Sequence, residues 1–170
     1  TNGQAFSFQV QDANGCPVTV SGTFTGLQNA GFSYAQTAYC QNASNPSPTI
    51  TGVAGGTFTS TPAGLSITSS SGVINLIGST PGTYTVTYTT PGPTCQGTST
   101  TTITVNPLPI INVADDAICQ GQNVTLSGNG GTSYSWNNGG VNGQAFTPVT
   151  GSTIFTVTGT DANGCVNTDN

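Results

Sequence analysis

The side chains of this sequence that could carry chemistry are few: five cysteines, five aspartates and one tryptophan. Lys, Arg and His are absent, and all of the acidic residues are aspartates. A nucleophilic Ser or Cys needs a neighbouring base, and only an aspartate could serve as that base here. We therefore predict that the protein is not an enzyme, and we expect the cysteines to form disulfides.

Asp115 and Asp116 are the candidates for a metal site, because they are adjacent carboxylates near a predicted domain junction. A good Ca²⁺ site takes about 6 to 8 oxygen ligands with several converging carboxylates, and the sequence contains no acidic repeat of that kind. Neighbouring side chains on an extended chain point to opposite faces, so these two residues are not expected to form a catalytic acid pair either. We expect no cofactor, with Ca²⁺ at Asp115 and Asp116 as the alternative.

Trp136 is the candidate ligand-binding residue. It lies in the alternation Tyr134-Ser135-Trp136, and its ring could stack on a sugar. A single Trp on a strand in the middle of a domain more often packs in the core against a disulfide. Core packing is the favoured interpretation, and glycan binding through Trp136 is the alternative.

The charge of the chain excludes whole classes of partner. The formal net charge of −5 has no cationic side chain to balance it. Proteins bind nucleic acids largely by neutralising phosphates with Lys and Arg, which are missing here. No apolar run approaches the roughly 18 residues that a membrane-spanning helix requires. We therefore expect no nucleic-acid partner and no membrane insertion.

The elements that position these residues are predicted to be short β-strands. Thr alternates with aromatic and β-branched residues in several segments, for example in residues 84–88 (YTVTY) and 102–105 (TITV). A period of two is typical of strands, and the strong helix formers Lys, Arg, Glu and Met are absent. Gly, Pro and Asn-Gly turn signals recur about every 8 to 12 residues, which favours an all-β sandwich.

The surroundings of the cysteines suggest how they pair. Cys40 and Cys119 are each followed by Gln and each precede an early strand. Cys95 and Cys165 each follow a Thr-rich late strand. We predict the disulfides Cys40–Cys95 and Cys119–Cys165, which would close loops of about 45 to 55 residues and contribute about 4 kcal/mol each. Disulfides on this scale indicate an oxidising, extracellular environment.

The fifth cysteine, Cys16, ends the sequence Asp-Ala-Asn-Gly-Cys at residues 12–16, which is identical to residues 161–165. Asn-Gly favours the positive φ angles of a tight turn, so both segments are predicted to be hairpin turns. The match indicates that residues 12–16 belong to the end of another domain. We expect the partner of Cys16 to lie outside this chain.

These matches divide the chain into repeats. Residues 1–27 are predicted to be the C-terminal part of one unit, residues 28–106 a complete unit, and residues 107–170 a unit that lacks its last strand. Pro107 and Pro109 at the second join favour an extended, semi-rigid connection. The prediction is a segment of a tandem array of sandwich domains arranged end to end.

Specific motifs in two of these units resemble a known kind of repeat. They are residues 118–126 (ICQGQNVTL), 134–136 (YSW) and 155–165 (FTVTGTDANGC), with 39–42 (YCQN), 82–88 (GTYTVTY) and Cys95 in the middle unit. They resemble the immunoglobulin-like and PKD-like tandem repeats of giant cell-surface proteins of the Bacteroidota, gliding-type adhesins among them. The resemblance implies immunoglobulin-like β-sandwiches, export by the type IX secretion route, a cell-surface location, and roles in adhesion, gliding or extracellular fibres.

The function expected from these observations is structural: a repeat segment of an extracellular filament or cell-surface adhesin. Only 3% of the residues are charged, so neighbouring copies would repel each other little and unprotected strand edges could associate. The expected partners are copies of the chain or neighbouring repeats. Two alternatives remain: a module that binds surface glycans, and a fibre subunit whose incomplete last unit accepts a strand from the next subunit.

Overall fold

The computed structural model describes residues 3–23, 25–93, 95–113 and 117–170, and all of its regular elements are β-strands. The thirteen strands within these ranges form five sheets of two to four strands. No helix that is long and apolar enough to span a membrane occurs in the described part of the chain. The predicted all-β class is confirmed.

The first two strands form a separate hairpin. β1 (Ala5–Gln11) and β2 (Pro17–Thr23) are antiparallel partners, with Gln11 opposite Pro17 beside the turn. Phe8 lies opposite Val20 and Val10 lies opposite Val18. Since alternate residues of a strand point to the same face, these four apolar side chains share one face of the hairpin.

The next six strands surround the largest core. They are β3 (Phe32–Ser33), β4 (Ala38–Cys40), β5 (Thr49–Ile50), β6 (Thr57–Thr61), β7 (Gly82–Thr89) and β8 (Thr98–Asn106). Four of them form a sheet in the order β4-β8-β7-β6, in which β4 and β8 are parallel and the other pairs are antiparallel. β3 and β5 pair in a second, two-stranded sheet.

The alternation in β7 determines which residues enter this core. Tyr84, Val86 and Tyr88 are buried, and the threonines between them point away from the core. From the same sheet, Phe58 packs its ring against Tyr88 with the centroids 4.6 Å apart. Phe32 of β3 packs against the same two rings, so the core lies between the two sheets.

The last five strands form a smaller pair of sheets. They are β9 (Val124–Thr125), β10 (Ser133–Trp136), β11 (Ala145–Phe146), β12 (Val157–Thr160) and β13 (Val166–Asp169). One sheet has the order β10-β12-β13, and the other consists of β9 and β11. The described part of residues 107–170 has three buried apolar residues, namely Ile111, Val157 and Cys165. It therefore buries less apolar surface than residues 30–105 do.

Candidate functional site

A disulfide between Cys40 and Cys165 is the main covalent feature of the fold. The two Cα atoms are 5.4 Å apart, although the residues are separated by 125 positions in sequence. Cys40 is the last residue of β4, and Cys165 is the last residue of the turn between β12 and β13. The bond therefore joins the large four-stranded sheet to the smaller β10-β12-β13 sheet.

The predicted disulfides Cys40–Cys95 and Cys119–Cys165 are wrong, because their partners Cys40 and Cys165 are bonded to each other. Cys40 is paired with Asn106 at the end of β8, whereas Cys95 precedes the start of that strand. The nine residues of β8 are separated by eight steps of about 3.3 Å, so the two ends of the strand lie about 26 Å apart. A disulfide requires Cα atoms within about 7 Å, so Cys40 cannot reach Cys95.

The turn that presents Cys165 is held by its own aspartate. Oδ1 of Asp161 accepts hydrogen bonds from the backbone N–H groups of Asn163 and Cys165, both at 2.8 Å. The N–H of Asp161 also donates to the carbonyl of Cys165 at 2.9 Å. Next to the disulfide, Nδ2 of Asn42 donates to the carbonyl of Val166 at 3.1 Å. The connection between the two sheets is therefore both covalent and hydrogen-bonded.

The same turn occurs at residues 12–16. Oδ1 of Asp12 accepts from the N–H groups of Asn14 and Cys16 at 2.8 and 2.9 Å, and the N–H of Asp12 donates to the carbonyl of Cys16. The strands that flank the two turns pair in the same register, because Gln11 lies opposite Pro17 as Thr160 lies opposite Val166. The predicted hairpin turns are confirmed at both places.

Three cysteines are not in disulfides: Cys16, Cys95 and Cys119. Cys16 and Cys119 are exposed, whereas Cys95 is half-buried with its sulfur 3.3 Å from the carbonyl oxygen of Thr25. Cys119 lies in a turn in which the N–H of Gln122 donates to its carbonyl. A partner for Cys16 outside this chain stays a prediction.

An open groove of about 430 Å³ lies between the two small sheets. Its lining includes Ile118, Leu126, Trp136, Ile154 and Phe155. Trp136 is half-buried, and its Nε1 donates to Oδ1 of Asn142 at 3.3 Å. The ring of Trp136 thus forms part of the groove wall, and a glycan-binding role for it stays a prediction.

The aspartates give no metal centre in the described part of the chain. Asp115 and Asp116, the predicted Ca²⁺ candidates, lie outside the described residues. Among the described residues, no three Cys, Asp or other acidic side chains come together as potential metal ligands. Oδ2 of Asp169 accepts from the N–H of Val113 at 2.9 Å, so this carboxylate, like those of Asp12 and Asp161, has a hydrogen-bonding role in the fold.

Sequence reasoning missed the groove and the role of Asn42. The signal for the groove was a set of apolar residues outside any alternating segment, such as Ile118 and Ile154, which are 37% and 65% exposed. No local signal predicted Asn42, because its acceptor is the carbonyl of Val166, 124 residues away.

Comparisons with known proteins give no family for this chain. No protein-family model matches it, and no curated protein matches it.

Proposed function

We propose that this chain is a structural segment of an extracellular filament or cell-surface adhesin, built from immunoglobulin-like repeats. The observation that carries the proposal is the disulfide between Cys40 and Cys165, which joins two sheets of different parts of the chain. Disulfides form and persist in oxidising compartments, so a bond at this place supports an extracellular location. The chain would serve as a spacer that holds its shape, not as a catalyst.

The position of the disulfide suits a spacer. Small domains with thin cores need crosslinks, and the core around Ile111 and Val157 is small. Closing a long loop removes many conformations from the unfolded chain, and this bond closes 125 residues. Pulling on the ends of residues 40–165 would therefore load a covalent bond before it extended the strands between them.

The surface chemistry supports association of copies. Charged residues make up 3% of the chain, and none of them is cationic. β6 is an edge strand of the four-stranded sheet, and its sequence is TFTST, without any charge. The N–H of Phe58 in this strand already donates to the carbonyl of Ser69 at 2.8 Å, so the edge is partly covered within the chain. Exposed edges that carry no charge or proline are prone to pair with other strands. Contacts between copies of the chain would thus meet little electrostatic opposition.

The immunoglobulin-like character of the units is part of the proposal. Support comes from the two packed sheets around Phe58 and Tyr88 and from the motifs that resemble repeats of Bacteroidota surface proteins. Export by a type IX route and roles in gliding or adhesion come from that resemblance alone.

Glycan binding is a second candidate function, and Trp136 favours it. Its ring forms part of an open groove that a sugar ring could enter, and aromatic stacking is a common way to bind sugars. A glycan array would give a signal that Trp136→Ala removes while the Cys40–Cys165 disulfide stays formed. A parent chain that gives no signal on the array would exclude this candidate.

Immunogold electron microscopy tests the filament proposal. Antibodies raised against the 170-residue chain would be applied to cells that make it, before and after treatment with trypsin or a mild reductant. Since the chain has no Lys or Arg, trypsin cannot cut it, and gold should remain on extracellular filaments after trypsin. The mild reductant should disrupt these filaments. Label confined to the cell interior or to dispersed globular particles would contradict the proposal.

A further inference from the structure

We infer that copies of this chain join head to tail through a disulfide between Cys16 of one copy and Cys119 of the next. In this joint, the apolar face of the β1–β2 hairpin lies in the groove between the small sheets of the neighbouring copy. The inference rests on the proposed function and specifies how the segments would connect.

Two cysteine motifs each occur twice in the chain. Cys165, in the turn Asp-Ala-Asn-Gly-Cys, is bonded to Cys40, in the motif Tyr-Cys-Gln. Cys16 lies in the same turn, with the same hydrogen bonds to its aspartate, and Cys119 lies in the related motif Ile-Cys-Gln. The chain thus contains one bonded pair of these motifs and a second, unbonded member of each, and both unbonded thiols are exposed.

The β1–β2 hairpin exposes an apolar face. Phe8 and Val10 on β1 are 52% and 42% exposed, and Val18 and Val20 opposite them are 49% and 39% exposed. In the hairpin formed by β12 and β13, the residue that matches Phe8 is Val157, and it is fully buried. The same kind of hairpin therefore packs its face in one part of the chain and leaves it open in the other.

Cys119 lies beside the groove. A smaller depression of about 250 Å³ adjoins the groove, and the two share Ile118, Pro148 and Gly151 in their linings. Cys119 lines this second depression. On the hairpin, Val10 and Val18 are the apolar pair nearest to the turn that carries Cys16. A hairpin that lies in the groove with this pair against Ile118 brings the two thiols together.

The occupant is a second copy because each copy carries one donor surface and one acceptor surface. A contact between two different surfaces of identical chains repeats without limit unless rotation closes a ring. None of the described residues that line the groove is charged, and Ile118, Leu126 and Ile154 are among them. The four exposed apolar side chains of the hairpin would pack against these residues.

The bond requires an oxidant, and a small disulfide such as oxidised glutathione supplies it by exchange. The thiolate of Cys16 attacks one glutathione sulfur, which forms a mixed disulfide and releases one reduced glutathione. The thiolate of Cys119 from the next copy then attacks the Cys16 sulfur and releases the second reduced glutathione. Two protein thiols are oxidised and one glutathione disulfide is reduced.

Oxidation of defined cysteine variants tests the joint. The full chain carrying Cys95→Ser would be incubated with oxidised and reduced glutathione and run on a non-reducing gel. We expect a ladder of multimers that reductant collapses to the monomer. Adding Cys16→Ser or Cys119→Ser should abolish the ladder, and a mixture of these two variants should give one dimer band. Mass spectrometry of that band should identify a peptide pair containing Cys16 and Cys119.

Two outcomes would overturn the inference. One is a parent chain that stays monomeric, and the other is a dimer formed by the Cys119→Ser variant alone, which would mean that Cys16 bonds to itself. In each variant, an intact Cys40–Cys165 peptide pair would show that the fold survives.

A charge on the hairpin face tests the groove contact. Phe8→Asp should slow dimer formation in the mixture by about tenfold or more, because a carboxylate would have to be buried against apolar groove residues. Gln9→Asp is the matched control, since Gln9 lies on the opposite face of β1, and it should leave the rate within about twofold. Equal rates of dimer formation for the two variants would contradict the placement of the hairpin in the groove.

Different outcomes would overturn the filament function and the disulfide joint between copies. Gold-labelled filaments on cells together with a monomeric oxidised chain would overturn only the joint. A ladder in vitro with label confined to the cell interior would overturn the filament function and leave the joint standing.

Discussion

Cys40 and Cys165 are 125 residues apart in sequence, and their Cα atoms lie 5.4 Å apart in a disulfide. The bond connects the end of β4, in the large four-stranded sheet, to the β12–β13 turn of the small one. Asn42, two residues after Cys40, reinforces this connection by donating a hydrogen bond to the carbonyl of Val166. This crosslink joins elements that local sequence signals assign to different repeats, and several consequences can be measured.

Removing the crosslink should destabilise the chain. In a background of Cys16→Ser, Cys95→Ser and Cys119→Ser, adding Cys165→Ser should lower the free energy of unfolding by about 2 to 5 kcal/mol. The physical reason is that the unfolded chain regains the conformations that the 125-residue loop excluded. Urea denaturation followed by circular dichroism measures the change.

The matched comparison is Cys40→Ser in the same background. It should cost about as much as Cys165→Ser, and the double variant should cost little more than either alone. Additive losses would mean that the two cysteines contribute independently, which is incompatible with a single bond between them.

The sequence predicted the strands well because their signals are local. The alternation around Tyr84, Val86 and Tyr88 is contained within one strand, and it sets the buried face of β7. The turns at residues 12–16 and 161–165 were equally predictable, since an aspartate that accepts hydrogen bonds from nearby N–H groups needs no distant partner.

The cysteine pairing and the groove depend on distant contacts and could not be derived in this way. The parallel pairing of β4 with β8 places Cys40 at the far end of β8 from Cys95, and no motif near Cys40 indicates that pairing. The groove likewise exists only because β9 and β11 stand apart from β10, β12 and β13.

The hydroxyl of Tyr88 should contribute measurably to the large core. It donates to the carbonyl of Val53 at 2.7 Å and accepts from the buried N–H of Gly56 at 2.9 Å. Tyr88→Phe leaves that N–H without its partner and should cost about 1 to 3 kcal/mol in urea denaturation. Tyr39→Phe is the control, because Tyr39 accepts from the more exposed N–H of Gln36 and should cost less. A larger loss for Tyr39→Phe would contradict the reasoning.

The two aspartate turns should respond differently to the same substitution. Asp161→Ala removes the acceptor of two N–H groups beside the buried Cys165, and it should lower the free energy of unfolding by about 1 to 2 kcal/mol. Asp12→Ala removes the same bonds in a hairpin that, within the described residues, pairs with no other strand. Its effect should be local, visible as faster amide hydrogen exchange in residues 5–23 without a change in the urea midpoint. Equal shifts in midpoint would contradict this difference.

Tyr34 should make the stability depend on alkaline pH. Burial, and secondarily the nearby Tyr39, raises the pKa of Tyr34 above its ordinary value of about 10. Since the folded pKa exceeds the unfolded one, this contribution is complete below about pH 10 and is lost as the pH rises further. In the background of Cys16→Ser, Cys95→Ser and Cys119→Ser, which prevents thiol exchange, the urea midpoint should fall between pH 8 and pH 11.

Tyr34→Phe should reduce that fall. The variant also loses the 2.5 Å hydrogen bond from the Tyr34 hydroxyl to the carbonyl of Gly72, but this loss applies equally at pH 8. The difference between the two pH values therefore isolates the titration. An unchanged fall in the variant would assign the alkaline instability to other groups.

Disulfide mapping of the unreduced chain tests the central claim most directly. Free thiols would be blocked with an alkylating reagent, the chain would be digested with pepsin without reduction, and the linked peptides would be identified by mass spectrometry. The account predicts one dominant intrachain pair, containing Cys40 and Cys165, together with an alkylated Cys95. Peptide pairs that link Cys40 to Cys95 and Cys119 to Cys165 would contradict the crosslink between the sheets and the structural role built on it.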